Sequence, residues 1–266
     1  GYQALSSEDG HGTNVAIGHN SLATLNAGAD AYNIAIGYNA GMGMTTGVQN
    51  TLLGGRAGDA LTTGNYNIAI GMDALTTEDT GSRSVAIGTN ALFNQNYDGD
   101  AYNVAIGMSA GSQVTTGTQN TIIGGLAGDA LTTGANNIAI GYKSLSTDDT
   151  GHGSVAIGSF ALEDQDGGNL YNTAIGFSAG AEVTSGGFNT IVGAQAGDAL
   201  TTGNRNVAIG YEALSAEDTG ARNTAVGEAA LRSLNYDGNG YNVAVGYDSG
   251  TAITTGVENI LVGSLV

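Results

Sequence analysis

The chain has 266 residues with no Cys, Pro or Trp, and its 24 acidic and 6 basic side chains give a net charge of −18 at pH 7. The lack of Cys excludes disulfide scaffolds and thiolate chemistry, and the acidic balance opposes nucleic acid or an anionic membrane as a partner. No apolar run approaches the roughly 18 residues of a membrane span, so we expect no membrane insertion by this sequence.

A short phrase of the type Asn-Val-Ala-Ile-Gly recurs along the chain, as at residues 14–18, 103–107 and 206–210. Its glycines are 17 to 19 residues apart, and four intervals make a super-repeat of about 70 residues. They include Gly18, Gly37, Gly54, Gly71, Gly88 and Gly107. No change of composition interrupts the pattern, so we predict one repeat array over residues 1–266. The sequence opens within a repeat, which predicts a piece of a longer chain.

Each unit predicts a short strand, a glycine corner, a second extended piece and a polar loop. In the first complete unit, Val15 and Ile17 are predicted to point to one side of the strand and Ala16 to the other. The residue before the strand is Asn in 13 of 15 units, as at Asn14, Asn33 and Asn103. This column predicts a ladder of stacked amides, with a plain turn as the alternative. Since 17 residues are too few for a strand and a helix, we predict an all-β parallel solenoid of about 15 coils with two strands per coil.

The predicted core of a single chain is thin. Each coil has only about three large apolar side chains, such as Val85, Ile87 and Leu92, and their burial is too small to offset the ordering of the backbone. The Ala face of the strands would let another chain approach closely, so we predict a homo-oligomer packed on that face. Larger residues that replace this Ala in every fourth unit are predicted to plug the axis between chains. They are Leu52, Ile122, Ile191 and Leu261.

The strand phrase with its glycine corner resembles the head repeats of trimeric autotransporter adhesins, the YadA-like head, and similar repeats of bacteriophage tail fibres. The resemblance covers the whole chain and implies a left-handed β-roll, assembled as an intertwined or side-by-side homotrimer. It also implies an extracellular position, on a cell surface or virion, and a surface receptor that is a glycan or a protein. We expect a non-enzymatic fibre segment that attaches by multivalent contacts; the alternative is a structural filament that polymerises end to end.

Acidic pairs recur at one place in the first coil of each super-repeat. We predict that they form a surface stripe that keeps the rod in solution, with a stripe that faces a ligand or collects ions as the alternative. The pairs are Glu78 and Asp79, Asp148 and Asp149, and Glu217 and Asp218. Tyrosines before the strand Asn are predicted to cover the end of the thin core, with stacking on sugars as the alternative. These are Tyr102, Tyr171 and Tyr241.

The long coils carry loops whose oxygen-bearing side chains alternate before a Gly, like the first half of a calcium loop. The candidate ligands are Asn94, Asn96, Asp98, Asp164, Asp166 and Asp237. No bidentate Glu follows at the right distance, and Asx-Gly is also ordinary turn chemistry. We therefore expect no cofactor and keep calcium as the alternative.

Two segments, at residues 107–111 and 176–180, match the Gly-x-Ser-x-Gly pattern of a nucleophile elbow. Sister coils carry Asn39 and Asp248 in the Ser position, so the match is a by-product of the repeat. His11, His19 and His152 lack the spacing of metal ligands. We expect no enzymatic activity.

Overall fold

The computed structural model describes residues 1–10 and 12–266, so His11 lies outside the described part. It contains 15 strands of three residues each and divides into two compact units, residues 1–135 and 136–266. Among the described residues, no helix has the length and hydrophobicity needed to cross a membrane.

Unit 1 is a parallel solenoid in which each coil contributes one strand, and successive strands pair in chain order. Its strands are β1 (Val15–Ile17), β2 (Ile34–Ile36), β3 (Thr51–Leu53), β4 (Ile68–Ile70), β5 (Val85–Ile87), β6 (Val104–Ile106) and β7 (Thr121–Ile123). The central residues of neighbouring strands lie opposite each other, as Ala16 does to Ala35. The predicted parallel solenoid is therefore confirmed for this unit.

Unit 2 repeats the same architecture with eight strands, again paired in parallel and in chain order. Its strands are β8 (Ile138–Ile140), β9 (Val155–Ile157), β10 (Thr173–Ile175), β11 (Thr190–Val192), β12 (Val207–Ile209), β13 (Thr224–Val226), β14 (Val243–Val245) and β15 (Ile260–Val262). The intervals of 17 to 19 residues in the sequence are thus the lengths of single coils.

The prediction of two strands per coil is wrong, because the second piece is a turn. Leu75 and Leu92 in these turns have positive φ angles of 54° and 48°, which an extended strand does not allow. The N–H of Ala91 donates to the carbonyl of Gly88 within the same turn (3.2 Å). Backbone hydrogen bonds still join the turns of neighbouring coils, as from the N–H of Leu75 to the carbonyl of Ala91 (3.0 Å).

The glycine corners are close contacts between coils. Gly88 has a φ of 132°, and a Cβ at this position would overlap the carbonyl oxygen of Gly107, the corner of the next coil. Both restrictions exclude a side chain, which explains why every coil has Gly at this position.

The strand Ala lies inside the coil, so the prediction of an Ala face between chains is wrong. Ala35 and Ala105 are fully buried, whereas Ile34 and Ile36 are each 39% exposed. A Leu from the turn, such as Leu92, is fully buried in the same interior. The coil is narrow, so it accommodates this Leu and a small strand residue, and the β-branched residues are turned outward.

The larger strand residues fill their own coils instead of plugging an axis between chains. Leu52 is fully buried, and a Cβ at Gly41 or Gly58 would lie 2.7 Å or 2.9 Å from its methyl groups. Those turns have Gly where other turns have Leu, so Leu52 occupies the space that the missing Leu leaves. Ile122 and Ile191 are likewise fully buried, and Leu261 is half-buried.

The Asn column forms the predicted ladder, and most of its bonds join a side chain to a backbone. The N–H of Asn50 donates to Oδ1 of Asn33 (2.9 Å), and the N–H of Asn67 donates to Oδ1 of Asn50 (2.9 Å). Nδ2 of Asn50 donates to the carbonyl of Gly64 (2.9 Å). An Asn such as Asn50 therefore satisfies two backbone groups in the buried interior.

Candidate functional site

The acidic pairs are divided between the interior and the surface. Glu78 is fully buried, and its carboxylate accepts bonds from the N–H of Gly81 (2.7 Å), Nε2 of Gln95 (3.0 Å) and the N–H of Tyr97 (3.2 Å). The surface stripe is therefore wrong for the first members of the pairs, which are Glu78, Asp148 and Glu217. The second members, Asp79, Asp149 and Asp218, are partly or fully exposed.

A buried glutamine connects the carboxylate to the Asn ladder in two super-repeats. Nε2 of Gln165 donates to Asp148 (2.7 Å) and to Oγ of Ser154 (3.0 Å). Its Oε1 accepts from Nδ2 of Asn172 (2.9 Å), and Asp148 also accepts from the N–H of Gly151 (2.7 Å). The same set in the preceding super-repeat is Glu78, Ser84, Gln95 and Asn103.

The sequence contains a signal for this buried cluster that the repeat analysis missed. Ser replaces Asn in the ladder only at Ser84 and Ser154, and in both cases Gln follows eleven residues later. Where the ladder keeps Asn14 or Asn223, the corresponding residue is Leu25 or Leu234. The shorter Ser leaves room that a Gln side chain fills while it supplies the missing hydrogen bonds.

The cluster around Glu217 has Leu234 where the two preceding super-repeats have Gln. Glu217 accepts from the N–H of Gly220 (2.8 Å) and more distantly from the N–H of Tyr236 (3.3 Å). Leu234 is fully buried in place of Gln and donates nothing. Nδ2 of Asn223 is buried without a hydrogen-bond partner in this cluster.

Burial raises the pKa of all three inner carboxyl groups. For Glu78 the hydrogen bonds from Gln95, Gly81 and Tyr97 lower the pKa again, and the negative charge of Asp79 raises it. For Asp148 the raising neighbours are Asp166 and Asp149, and for Glu217 the raising neighbour is Asp218. These groups titrate inside the fold and are not presented to a ligand.

In the loops that resemble half of a calcium site, several of the candidate ligand side chains bond to different groups of the chain and not to a common centre. Oδ1 of Asp98 accepts from Oγ1 of Thr80 (2.8 Å), and Asp100 pairs with Arg83. Nδ2 of Asn94 donates to Gln113 (2.9 Å). In the same type of loop, Asp237 accepts from Thr219 (2.9 Å), and the backbone N–H groups of Asn96 and Asp164 bond to the next coil.

Carboxylate oxygens converge at one place in the described residues. Ligand atoms of Asp148, Asp149 and Asp166 lie within 4.8 Å of one another. Asp148 is already occupied by the N–H of Gly151 and by Gln165, and no buried polar atom of the three lacks a partner. The absence of a cofactor stays a prediction, with calcium as its alternative.

The three tyrosines that are candidates for stacking on sugars are about half exposed. Each ring also contacts a neighbouring side chain of the chain. The guanidinium of Arg83 lies 5.8 Å from the ring centre of Tyr102, and that of Arg222 lies 5.5 Å from the ring centre of Tyr241. Tyr171 is covered by the ring of Phe188 at 5.8 Å. A sugar would therefore meet each tyrosine together with the side chain beside it.

The two histidines that the structure describes contact neighbouring groups of the chain. His19 stacks between the rings of Tyr2 and Tyr38, and Nδ1 of His152 lies 2.7 Å from the carbonyl of Thr150. The part of the chain that the structure describes encloses no pocket. No protein-family model matches the chain, and no curated protein matches it significantly.

Proposed function

We propose that this chain is a segment of an extracellular adhesive fibre, on a cell surface or virion, that attaches by many equivalent weak contacts. The observation that supports the proposal is repetition in register. Within each unit every coil places corresponding residues opposite one another, as Ile34 lies opposite Thr51. Repeated sites raise the effective concentration of each further contact once one has formed, so many weak contacts add up to firm attachment.

The contact residues that we propose are the exposed members of the predicted sets. They are Asp79, Asp149 and Asp218 of the acidic pairs, and Tyr102, Tyr171 and Tyr241 of the aromatic column. The proposal includes a homotrimer without a cofactor, which would multiply these contacts by three. The resemblance of the strand phrase to YadA-like head repeats supports the trimer.

A binding assay with matched variants tests the attachment function. The intact chain is coupled to beads and offered to glycan arrays and to intact cells, with and without glycosidase treatment. We expect retention by a subset of glycans or cells, and a roughly tenfold loss of avidity when Tyr102, Tyr171 and Tyr241 are changed to Ala. The control carries Gln49→Ala and Gln119→Ala, which lie in the same column of exposed residues.

Two results would contradict the proposal. One is the absence of retention on every glycan and cell surface tested. The other is assembly of the chain into open-ended polymers that lengthen with concentration, which would favour the end-to-end filament instead.

A further inference from the structure

Two of the six basic side chains are neighbours on the surface of unit 2. Arg205 and Arg222 each lie two residues before a strand, in the coils of β12 and β13, and both are exposed. These strands pair in register, so the backbones of the two arginines are roughly 5 Å apart along the stack. Like charges on neighbouring coils repel each other, so the stability of the fold does not favour this arrangement.

Aromatic rings continue the same column on both sides of the two arginines. Tyr171 and Phe188 occupy the corresponding position in the two preceding coils, and Tyr241 occupies it in the following coil. The ring centres of Tyr171 and Phe188 are 5.8 Å apart. The guanidinium of Arg205 lies 5.3 Å from the ring centre of Phe188, and that of Arg222 lies 5.5 Å from the ring centre of Tyr241. We call these five residues the arginine–aromatic column.

Neither arginine of this column has an acidic partner, although the chain carries 24 acidic residues. The four ion pairs of the described residues use the other four basic side chains, which are Arg56, Arg83, Lys143 and Arg232. Nη1 of Arg222 donates to the hydroxyl of Tyr241 (3.0 Å). Because each guanidinium has five N–H donors, most of the hydrogen-bonding capacity of the two arginines is left for a ligand.

Unit 1 shows how an arginine at this position is neutralised. Arg83 lies two residues before β5 and pairs with Asp100, which lies four residues before β6. In unit 2, the residue four before β14 is Asn239, and both residues form the same kind of isolated bridge to the preceding coil. The amide in place of the acid leaves Arg222 with its charge.

We propose that the arginine–aromatic column binds an acidic sugar, with one carboxylate or sulfate group between Arg205 and Arg222 and the sugar ring against the neighbouring aromatic side chains. Guanidinium groups bind the oxygens of such anions through two parallel hydrogen bonds. An anion between the two arginines also relieves their repulsion. This inference rests on the proposed function, which places Tyr171 and Tyr241 among the contact residues, and it names the chemical class of the ligand.

The charge of the whole chain limits how acidic this ligand can be. The net charge is −18, so a long anionic polymer would be repelled by the rest of the surface while it gained only two positive charges. A glycan with a single acidic group gains the same two charges and meets little of this repulsion. We therefore expect monoacidic sugars to bind, and polyanions such as heparin not to bind.

Titration of the intact chain with a matched set of sugars tests the charge requirement. 3′-Sialyllactose carries one carboxylate, 3′-sulfolactose carries one sulfate, and lactose carries neither group. At low salt, isothermal titration calorimetry is expected to show that one or both acidic sugars bind at least roughly tenfold more tightly than lactose. The comparison of the two identifies the acidic group, and added salt should weaken the preference because it screens the arginines.

A substitution that only neutralises the site provides a sharper test. Asn239→Asp supplies to Arg222 the acid that pairs with Arg83 in unit 1, and it is expected to weaken acidic-sugar binding roughly tenfold. Asn136→Asp is the control, since it adds the same charge two residues before β8, four coils away from Arg205. Arg205→Gln removes half of the arginine pair and should weaken binding by a similar factor. Circular dichroism and thermal melting check that all variants fold.

Three results would overturn the inference. The first is equal affinity of the native chain for lactose and for both acidic sugars. The second is an equal effect of Asn239→Asp and Asn136→Asp on the affinity for the acidic sugar. The third is binding of heparin without binding of either acidic sugar.

The two proposals fail separately. A preference for acidic sugars in solution, with no retention on glycan arrays or cells, would overturn only the attachment function. Retention that is the same for the native chain, Asn239→Asp and Arg205→Gln would overturn only the role of the arginine–aromatic column.

Discussion

The two faces of each strand lie in opposite surroundings. In β6 the central Ala105 is fully buried inside its own coil, whereas Val104 and Ile106 on either side face outward and keep part of their surface exposed. The inner face is completed by one chain, through the turn Leu and the Asn ladder. The outer face is apolar and is not covered by the chain itself. Alternate residues of the same three-residue strand therefore form the interior of the coil and its outer surface.

The largest difference in stability is expected between substitutions of two glycines. Gly88→Ala places a Cβ against the carbonyl of Gly107 at a φ of 132°, and we expect it to destabilise the fold by at least about 3 kcal/mol. Gly55→Ala adds the same methyl group to open space and should change stability by no more than about 0.5 kcal/mol. Urea unfolding followed by circular dichroism measures both. Similar midpoints for the two variants would contradict the close packing of the corners.

A second contrast lies between neighbouring polar residues. Asn50→Ala removes the acceptor of the Asn67 N–H and the donor to the Gly64 carbonyl, both in the buried interior. Leaving these groups unpaired is expected to cost about 2–4 kcal/mol. Gln49→Ala, one residue earlier and exposed, is the control and should have almost no effect in the same urea titration. An equal loss of stability in the two variants would show that the Asn ladder does not stabilise the coil.

The smallest effect is a dependence on pH. Because burial raises the pKa of Glu78, the folded chain holds this proton more tightly than the unfolded chain, whose pKa is near 4.5. The contribution to stability is therefore gained as pH falls through the raised pKa, and it is lost as pH rises again toward neutrality. The melting temperature should rise between about pH 7 and pH 5.

A variant separates Glu78 from the general relief of charge repulsion on acidification. In Glu78→Gln the rise of the melting temperature should be about 2–4 °C smaller than in the native chain. Glu182→Gln, at an exposed carboxylate, is the control and should keep the native rise. An unchanged rise in Glu78→Gln would show that this buried carboxyl does not titrate in the range.

The features of the fold that depend on one coil stacking on the next coil of the same chain could be predicted from the sequence. The solenoid, the corner glycines and the Asn ladder are of this kind, because each depends on the same residue recurring one coil later. The inward side of the strand could not be predicted, since Ala16 between Val15 and Ile17 is compatible with either direction. Hydrophobicity alone favours the larger pair inside, but the narrow coil admits only Ala beside the turn Leu.

The sequence could not show which member of each acidic pair is buried, for a similar reason. Glu78 and Asp79 are adjacent acids of the same charge, and only the closing of the loop onto Gly81 decides which of them is buried. The sequence does signal the buried cluster, because Ser84 replaces the ladder Asn and Gln95 follows it. This signal can be interpreted only once Ser84 and Gln95 are known to lie in the same interior.

The mass of the native chain in solution tests the central claim most directly, namely that a homotrimer multiplies the equivalent contacts of each coil. One chain has a mass of 26.3 kDa. Light scattering after size-exclusion chromatography is expected to give three times this mass. A mass of one chain at every concentration would contradict the account.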